Sequence, residues 1–214
     1  MTARGACAFA AVAALAASVG DLLLLWFASA GRAELGLPAL PDAGLLAGHL
    51  LGAFAIPLYG VGYWGVSRAF GAAHRRAARF VFVTGALGGA YGGAVHGITG
   101  MAERLQATAG IAPSDPMAFV EQLGGFLVPL WITIAVAIAA GSIVFAAAVW
   151  RGDTALPRWM ALANPVALVL LATLLGAPTP IGRAILAPAA PNLAHVWFFA
   201  LAALSMRAAS TARL

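Results

Sequence analysis

The feature that most constrains this chain is a series of long apolar segments separated by short interruptions rich in Pro and Gly. Crossing a hydrocarbon core of about 30 Å takes about 20 helical residues. Six segments approach or exceed that length, and we place them at about 6–30, 44–70, 79–101, 123–150, 158–177 and 189–209. Interruptions such as "GLPALPDAG" (36–44) and "GAPTPIG" (176–182) end helices. The sequence therefore predicts an all-α fold: one polytopic membrane domain over residues 1–214, built as a bundle of six transmembrane helices.

The distribution of arginines predicts how this bundle is oriented. With the N-terminus inside, nine of the 12 basic residues fall on the cytoplasmic side: Arg4, Arg68, Arg75, Arg76, Arg79, Arg151, Arg158, Arg207 and Arg213. Such an excess favours an N-in, C-in orientation, and we expect a multi-pass protein of the bacterial inner membrane in contact with lipids. The net charge of +5 does not indicate nucleic-acid binding, because the arginines alternate with apolar segments instead of forming one basic face.

The first apolar segment must be distinguished from a signal peptide. Arg4 and the small triplet Ala28-Ser29-Ala30 imitate a signal peptide with its cleavage site. The run over 6–30 is too long for that and contains Asp21, so we expect it to be retained as a helix, with cleavage as the alternative. Cys7 is the only cysteine, which excludes an intramolecular disulfide and any metal site built from cysteines.

Five polar residues are predicted to meet in the outer half of the bundle. His49 begins the second segment, His96 closes the third, and His195 lies in the first turns of the sixth, three residues after Asn192. Asp21 lies in the outer half of the first segment. A carboxylate inside a membrane costs about 2.5–3.5 kcal/mol on insertion scales and by default marks a functional site. A purely structural contact between helices is the alternative.

The third segment places His96 within two rows of glycine. Residues 85, 89, 93 and 97 form one row at helical spacing, and residues 88, 92, 96 and 100 form the next. Small residues at this spacing allow a second helix, in the same chain or in a homo-oligomer, to approach closely. They also leave room for a substrate or a planar cofactor. We therefore expect His96 to face a helix interface or a cavity.

Other polar and aromatic residues are assigned to structural roles. Tyr59, Tyr63 and Trp64 are predicted to belong to the aromatic belt at the cytoplasmic interface. Asn164-Pro165 is predicted to form a turn or kink, and His74 to be a solvated loop residue.

Three imidazoles and a carboxylate from different helices match the ligands of zinc or another divalent metal. A bound metal lowers the pKa of its water toward about 7 and so supplies a nucleophile. The predicted function is a membrane-embedded enzyme that acts on a lipid-like or apolar small molecule, with metal-dependent hydrolysis as the favoured reaction. The metal ligands would be His49, His96, His195 and Asp21; the catalytic residues would be Asp21, His96 and Asn192. Glu103 and Glu121, in the outer loop, are second candidates for a general base.

This residue set resembles the polar site of the alkaline ceramidase and adiponectin-receptor type of zinc-dependent membrane hydrolase. The resemblance implies that a zinc-activated water attacks a lipid amide. That superfamily has seven helices and an HxxxH pair on the last one, whereas this chain has six predicted helices and an NxxH arrangement of Asn192 and His195. The chain is also similar to an uncharacterised group of six-helix bacterial membrane proteins, through Gly20-Asp21, Asn164-Pro165 and "PNLAH" (191–195).

Two other functions remain open at this level. Two histidines from facing helices are able to ligate a b-type haem against the glycine face, which would give a redox protein or a Lewis-acid isomerase. Alternatively, Asp21 and the histidines bind or relay a proton or a small molecule in a non-enzymatic carrier.

Overall fold

The computed structural model describes residues 1–28, 42–107, 116–179, 182 and 186–206. Within them the fold is all-helical, as predicted, and contains six helical rods. These are α1 (Ala3–Ala28), α2 (Asp42–Ala55 and Tyr59–Arg68, joined by the 3-10 turn Ile56–Leu58), α3 (Arg75–Ala107), α4 (Pro116–Arg151), α5 (Pro165–Gly176) and α6 (Ala187–Ser205). Several predicted features lie outside the described residues: the end of the first segment at residue 30, parts of the three predicted outer loops, and Arg207 and Arg213.

Among the described helices, three are long and apolar enough to cross a membrane. These stretches are Ala3–Leu24, Ala43–Arg68 and Gly124–Arg151, and two further apolar helices are shorter, at Pro165–Gly176 and Ala189–Ser205. Helices α3 and α4 extend well beyond the predicted limits, to 33 and 36 residues. Pro129 lies inside α4 without ending it.

The predicted fifth segment is divided in two. Arg158–Ala161 form a separate 3-10 turn, and α5 begins only at Pro165. The Asn164 side chain caps α5: its Oδ1 accepts from the Ala167 backbone N–H at 3.1 Å, and its Nδ2 donates to the Ala161 carbonyl at 2.9 Å. Asn at the N-cap and Pro at the first helical position are both favoured, so the prediction of a turn at Asn164-Pro165 is confirmed.

Small residues allow α1 to pack tightly against α2 and α6. Ala10, Ala14 and Ala17 of α1 are fully buried, and Phe198 and Phe199 of α6 fill the core beside them. Helices α1 and α2 also come close together at a pair of glycines, one on each helix. A Cβ on Gly20 would lie 2.9 Å from the Gly48 carbonyl oxygen, too close for any side chain. The residue that follows Gly20, Asp21, is buried, with 8% of its surface exposed.

Both ends of the described chain, near Arg4 and Met206, lie at the same end of the bundle. Arg4 Nη2 donates to the Met206 carbonyl at 2.6 Å, which joins the start of α1 to the end of α6. At the same end His74 is half-buried, and its Nε2 lies 2.9 Å from the Gly152 carbonyl oxygen. His74 is therefore part of the contact between two turns, and only partly the solvated loop residue that was predicted.

Candidate functional site

Four of the five predicted polar residues meet in the interior of the bundle. Asp21, His96, Asn192 and His195 are all buried, with exposures of 6–8%. Asp21 Oδ1 lies 3.2 Å from His96 Nδ1. The other carboxyl oxygen, Oδ2, accepts a hydrogen bond from Asn192 Nδ2 at 2.6 Å. The carboxyl group thus links α1 to α3 on one side and to α6 on the other.

Two tyrosines of α2 complete this cluster. Tyr59 donates its hydroxyl hydrogen to Asn192 Oδ1 at 2.6 Å, and the Tyr63 hydroxyl lies 2.9 Å from His195 Nε2. The Tyr59 ring also stacks on the His195 imidazole, with ring centroids 4.7 Å apart. Both tyrosines are buried, so assigning them to an interfacial belt was wrong. Their place on the same helical face as Gly52 is the sequence signal that could have revealed them.

The partners of His96 define where its protons lie. Its ring lies over Gly52, where any Cβ would collide with it, and its Nε2 is 3.1 Å from the Gly48 carbonyl oxygen. A carbonyl can only accept, so Nε2 carries a hydrogen. Nδ1 then faces Asp21, and an unprotonated nitrogen would repel an ionised carboxylate. The contact is favourable when one proton resides on either Asp21 or His96, and the pair as a whole is then neutral.

His195 has a different protonation pattern. Its Nδ1 lies 2.7 Å from the Pro191 carbonyl oxygen and must donate to it. In the neutral ring Nε2 is then an acceptor, which fits the hydroxyl donor of Tyr63. Both nitrogens of His195 are therefore satisfied within the protein, and the residue is held in one tautomer and one orientation.

His49 does not join the cluster. Its ring packs against Gly100 of α3, and its Nδ1 is buried with no hydrogen-bond partner among the described residues. Within the described part of the chain, no group of three or more His, Cys, Asp or Glu side chains is arranged to hold a metal. Ligation by His96 or His195 would have to replace a contact that the ring already makes. The side chains of Glu103 and Glu121 lie outside the described residues.

The two glycine rows of α3 have different roles. At Gly85, Gly89 and Gly93 the helix is in contact with α2: Gly85 accommodates the Tyr63 ring, and a Cβ on Gly93 would lie 2.7 Å from Pro57 Cγ. This row serves close helix packing, except at Gly97, where a Cβ would meet no atom of the described residues within 4 Å. In the second row, Gly88 and Gly92 line a cavity, as does Gly89 at the boundary.

This cavity, of about 150 Å³, lies directly beside the polar cluster. Polar side chains form one part of its wall, contributed by Asp21, Tyr59, His96, Asn192 and His195. The remainder is apolar and includes Trp131, Ile134 and Ile138 of α4. An apolar chamber with a few convergent polar groups is the usual composition of a small-molecule site.

Fold and site together define a bundle of largely apolar helices with a buried carboxylate and imidazole pair at the wall of an apolar cavity. The chain belongs to a family of unknown function, DUF6796, whose family model matches residues 2–209. No curated protein and no solved structure matches it.

Proposed function

We propose that this chain is an integral membrane protein of the bacterial inner membrane, with six spans and both termini in the cytoplasm. Exposed apolar side chains along α4, such as Val128, Ile132 and Val136, support a helix in contact with lipid. The contact between Arg4 and Met206 supports the same side for both termini. The exposed arginines Arg75 and Arg76 begin α3 at the end proposed to be cytoplasmic.

Within that membrane domain, the proposed function is an enzyme that transfers a proton to or from an apolar small molecule. The observation that carries this proposal is the 3.2 Å contact between Asp21 Oδ1 and His96 Nδ1 at the cavity wall. The pair holds one proton that it gives up as a general acid and regains as a general base. A positioned acid or base of this kind typically contributes about 10²–10⁴-fold to a rate.

The remaining residues of the cluster position this pair. Asn192 holds Asp21 Oδ2, and Tyr59 in turn fixes the Asn192 amide through its Oδ1. The Gly48 carbonyl fixes the far side of the His96 ring. With both ends held, proton exchange with a substrate requires no side-chain rearrangement, which is the preorganisation that efficient catalysis needs.

Metal-assisted hydrolysis at the same residues is the second candidate. The observation in its favour is that a carboxylate oxygen and an imidazole nitrogen, both suited to a divalent metal, lie together at the cavity wall. In this role Asp21 and His96 would hold the ion, which would activate a water. A haem fits less well, because a chamber of about 150 Å³ holds a molecule the size of benzene and a porphyrin is several times larger.

The test is a deuterium-incorporation assay. Protein in lipid nanodiscs is incubated in D₂O with a bacterial lipid and apolar-metabolite extract, and mass spectrometry detects compounds that gain deuterium or are converted. The wild-type protein is expected to act on at least one compound, and Asp21→Asn and His96→Gln are expected to lose this activity by about 10²-fold or more. Ser205→Ala is the control, since the Ser205 hydroxyl bonds to the Leu201 carbonyl, away from the site.

The same preparations separate the two candidates. Under the acid–base proposal the activity survives a chelator, whereas stoichiometric zinc by elemental analysis together with chelator-sensitive activity would select metal-assisted hydrolysis. Wild-type turnover in correctly folded Asp21→Asn and His96→Gln proteins would refute both.

A further inference from the structure

We infer that the substrate enters this site sideways from the bilayer, between α3 and α4, and that only its end group, no larger than a benzene ring, reaches Asp21 and His96. This inference rests on the proposed function and names the substrate class: a molecule dissolved in the membrane that is apolar except for one small polar group at its reactive end.

Trp131 marks the opening of the cavity. Its side chain lines the cavity, yet the residue is 50% exposed. A residue that both lines a cavity and reaches the outside lies at its opening. The next residue of α4, Ile132, and Val136 one turn further on are exposed and apolar as well. The surface around the opening is therefore apolar, and in the proposed membrane it is covered by lipid chains.

Two glycines of α3, Gly88 and Gly92, line the cavity behind this opening. Here Gly88 of α3 faces Ile138 of α4, and a Cβ on Gly88 would lie only 2.6 Å from Ile138 Cδ1. Further along, a Cβ on Gly92 would lie 2.9 Å from Ile56 Cγ2. A side chain at either glycine would therefore have to displace Ile138 or Ile56, which also line the cavity. The second glycine row therefore both packs against neighbouring helices and lines the cavity.

The size and polarity of the chamber limit what it accepts. A closed apolar cavity of about 150 Å³ is known to accept benzene or xenon, and this chamber has the same volume. A whole lipid does not fit, so the rest of a longer molecule must remain outside Trp131. The polar wall formed by Asp21, His96 and Asn192 favours an end group with a hydrogen-bonding atom, because buried polar groups left unpaired are costly.

The test is photolabelling with a phenyl diazirine, a bilayer-soluble probe whose ring is the size of the chamber. Labelled residues are mapped by mass spectrometry on the full-length protein in liposomes. Wild-type protein is expected to be labelled at the inner residues Tyr59 and His96 as well as at the outward-facing Ile132 and Val136. A charged carboxylate analogue of the probe, which stays in water, is expected to leave Tyr59 and His96 unlabelled.

Glycine variants supply the matched comparison. Gly88→Val is expected to reduce labelling of the inner residues by about tenfold or more while leaving the outer labels unchanged. Gly88→Ala, a smaller change less prone to disturb folding, is expected to reduce it partially. Gly97→Val should leave both sets unchanged, since a Cβ on Gly97 would have no atom of the described residues within 4 Å.

Three results would overturn the entry route: wild-type labels on the outer residues alone, inner labelling by the charged analogue, or full inner labelling in both Gly88 variants. The two proposals fail separately. Inner labelling in a protein without any deuterium-transfer activity would refute the proposed enzyme activity but support the proposed entry route. Deuterium-transfer activity without inner labelling would refute the proposed entry route but support the proposed enzyme activity. Asp21→Asn is expected to lose activity while it retains the inner labels.

Discussion

Replacing Asp21 in two different ways separates its role in the hydrogen-bond network from its role in proton transfer. In Asp21→Asn the new amide keeps the shape of the carboxyl group. Its oxygen still accepts from Asn192 Nδ2, and its NH₂ group donates to the unprotonated Nδ1 of His96, whose Nε2 hydrogen stays on the Gly48 carbonyl. All partners are satisfied, so the free energy of unfolding should change by no more than about 1 kcal/mol.

Asp21→Ala removes these partners altogether. It leaves Asn192 Nδ2 and His96 Nδ1 buried without the group that each now contacts. An unpaired buried polar group costs about 1–3 kcal/mol, so the two together should destabilise the protein by about 2–6 kcal/mol. The alanine variant is thus expected to be both unstable and inactive, and the asparagine variant stable and inactive.

Stability is measured by denaturant unfolding in mixed micelles, with tryptophan fluorescence as the signal. The deuterium-transfer assay is run on the same samples. If Asp21→Asn were as unstable as Asp21→Ala, the arrangement of donors and acceptors described for the cluster would be wrong. If Asp21→Asn kept wild-type turnover, the proton shared with His96 would have no part in the reaction.

Three further substitutions test other parts of the cluster and the core. Tyr59→Phe removes the donor to Asn192 Oδ1. It should lower the free energy of unfolding by about 1 kcal/mol and should also lower turnover, as measured in the same two assays. Gly52→Ala should abolish turnover, because its methyl group displaces the imidazole that lies over this position, whereas Gly97→Ala, with no described atom nearby, should leave turnover unchanged. Ser142→Ala should raise the free energy of unfolding by about 1 kcal/mol, since the Ser142 hydroxyl is buried with no partner among the described residues; a loss of stability would show that this hydroxyl is satisfied.

The polar cluster could be predicted in part because charge inside an apolar helix is costly. Asp21 needs partners, and the alternating direction of successive helices brought His96, Asn192 and His195 to the same depth. The sequence did not predict how each helix is rotated about its own axis. Most of these helices carry apolar residues on all faces, so the periodicity of the sequence does not distinguish the inner face from the outer one. Tyr59 was for that reason assigned to an interface instead of the core.

Close backbone contacts decide what periodicity leaves open. Gly20 allows α1 to approach α2 closely, and Gly52 provides the space that the His96 ring occupies. Gly100 accommodates His49 apart from the other histidines, so the predicted set of three imidazoles is not assembled in the described structure. Which glycine row packs against a helix and which borders a cavity depends on the neighbouring helices, and a single sequence does not contain that information. The start of α5, by contrast, has a local signal in Asn164 and Pro165.

The most direct measurement of the shared proton is ¹⁵N NMR of the side chains in protein labelled at its four histidines, with His96 assigned through the His96→Gln variant. We expect a hydrogen on His96 Nε2 in both the wild-type protein and Asp21→Asn, and a change at His96 Nδ1 when the carboxyl group becomes an amide. His195 should keep its hydrogen on Nδ1 in both. An unprotonated His96 Nε2, or a His96 Nδ1 resonance that does not respond to Asp21→Asn, would contradict the shared proton on which the proposed function depends.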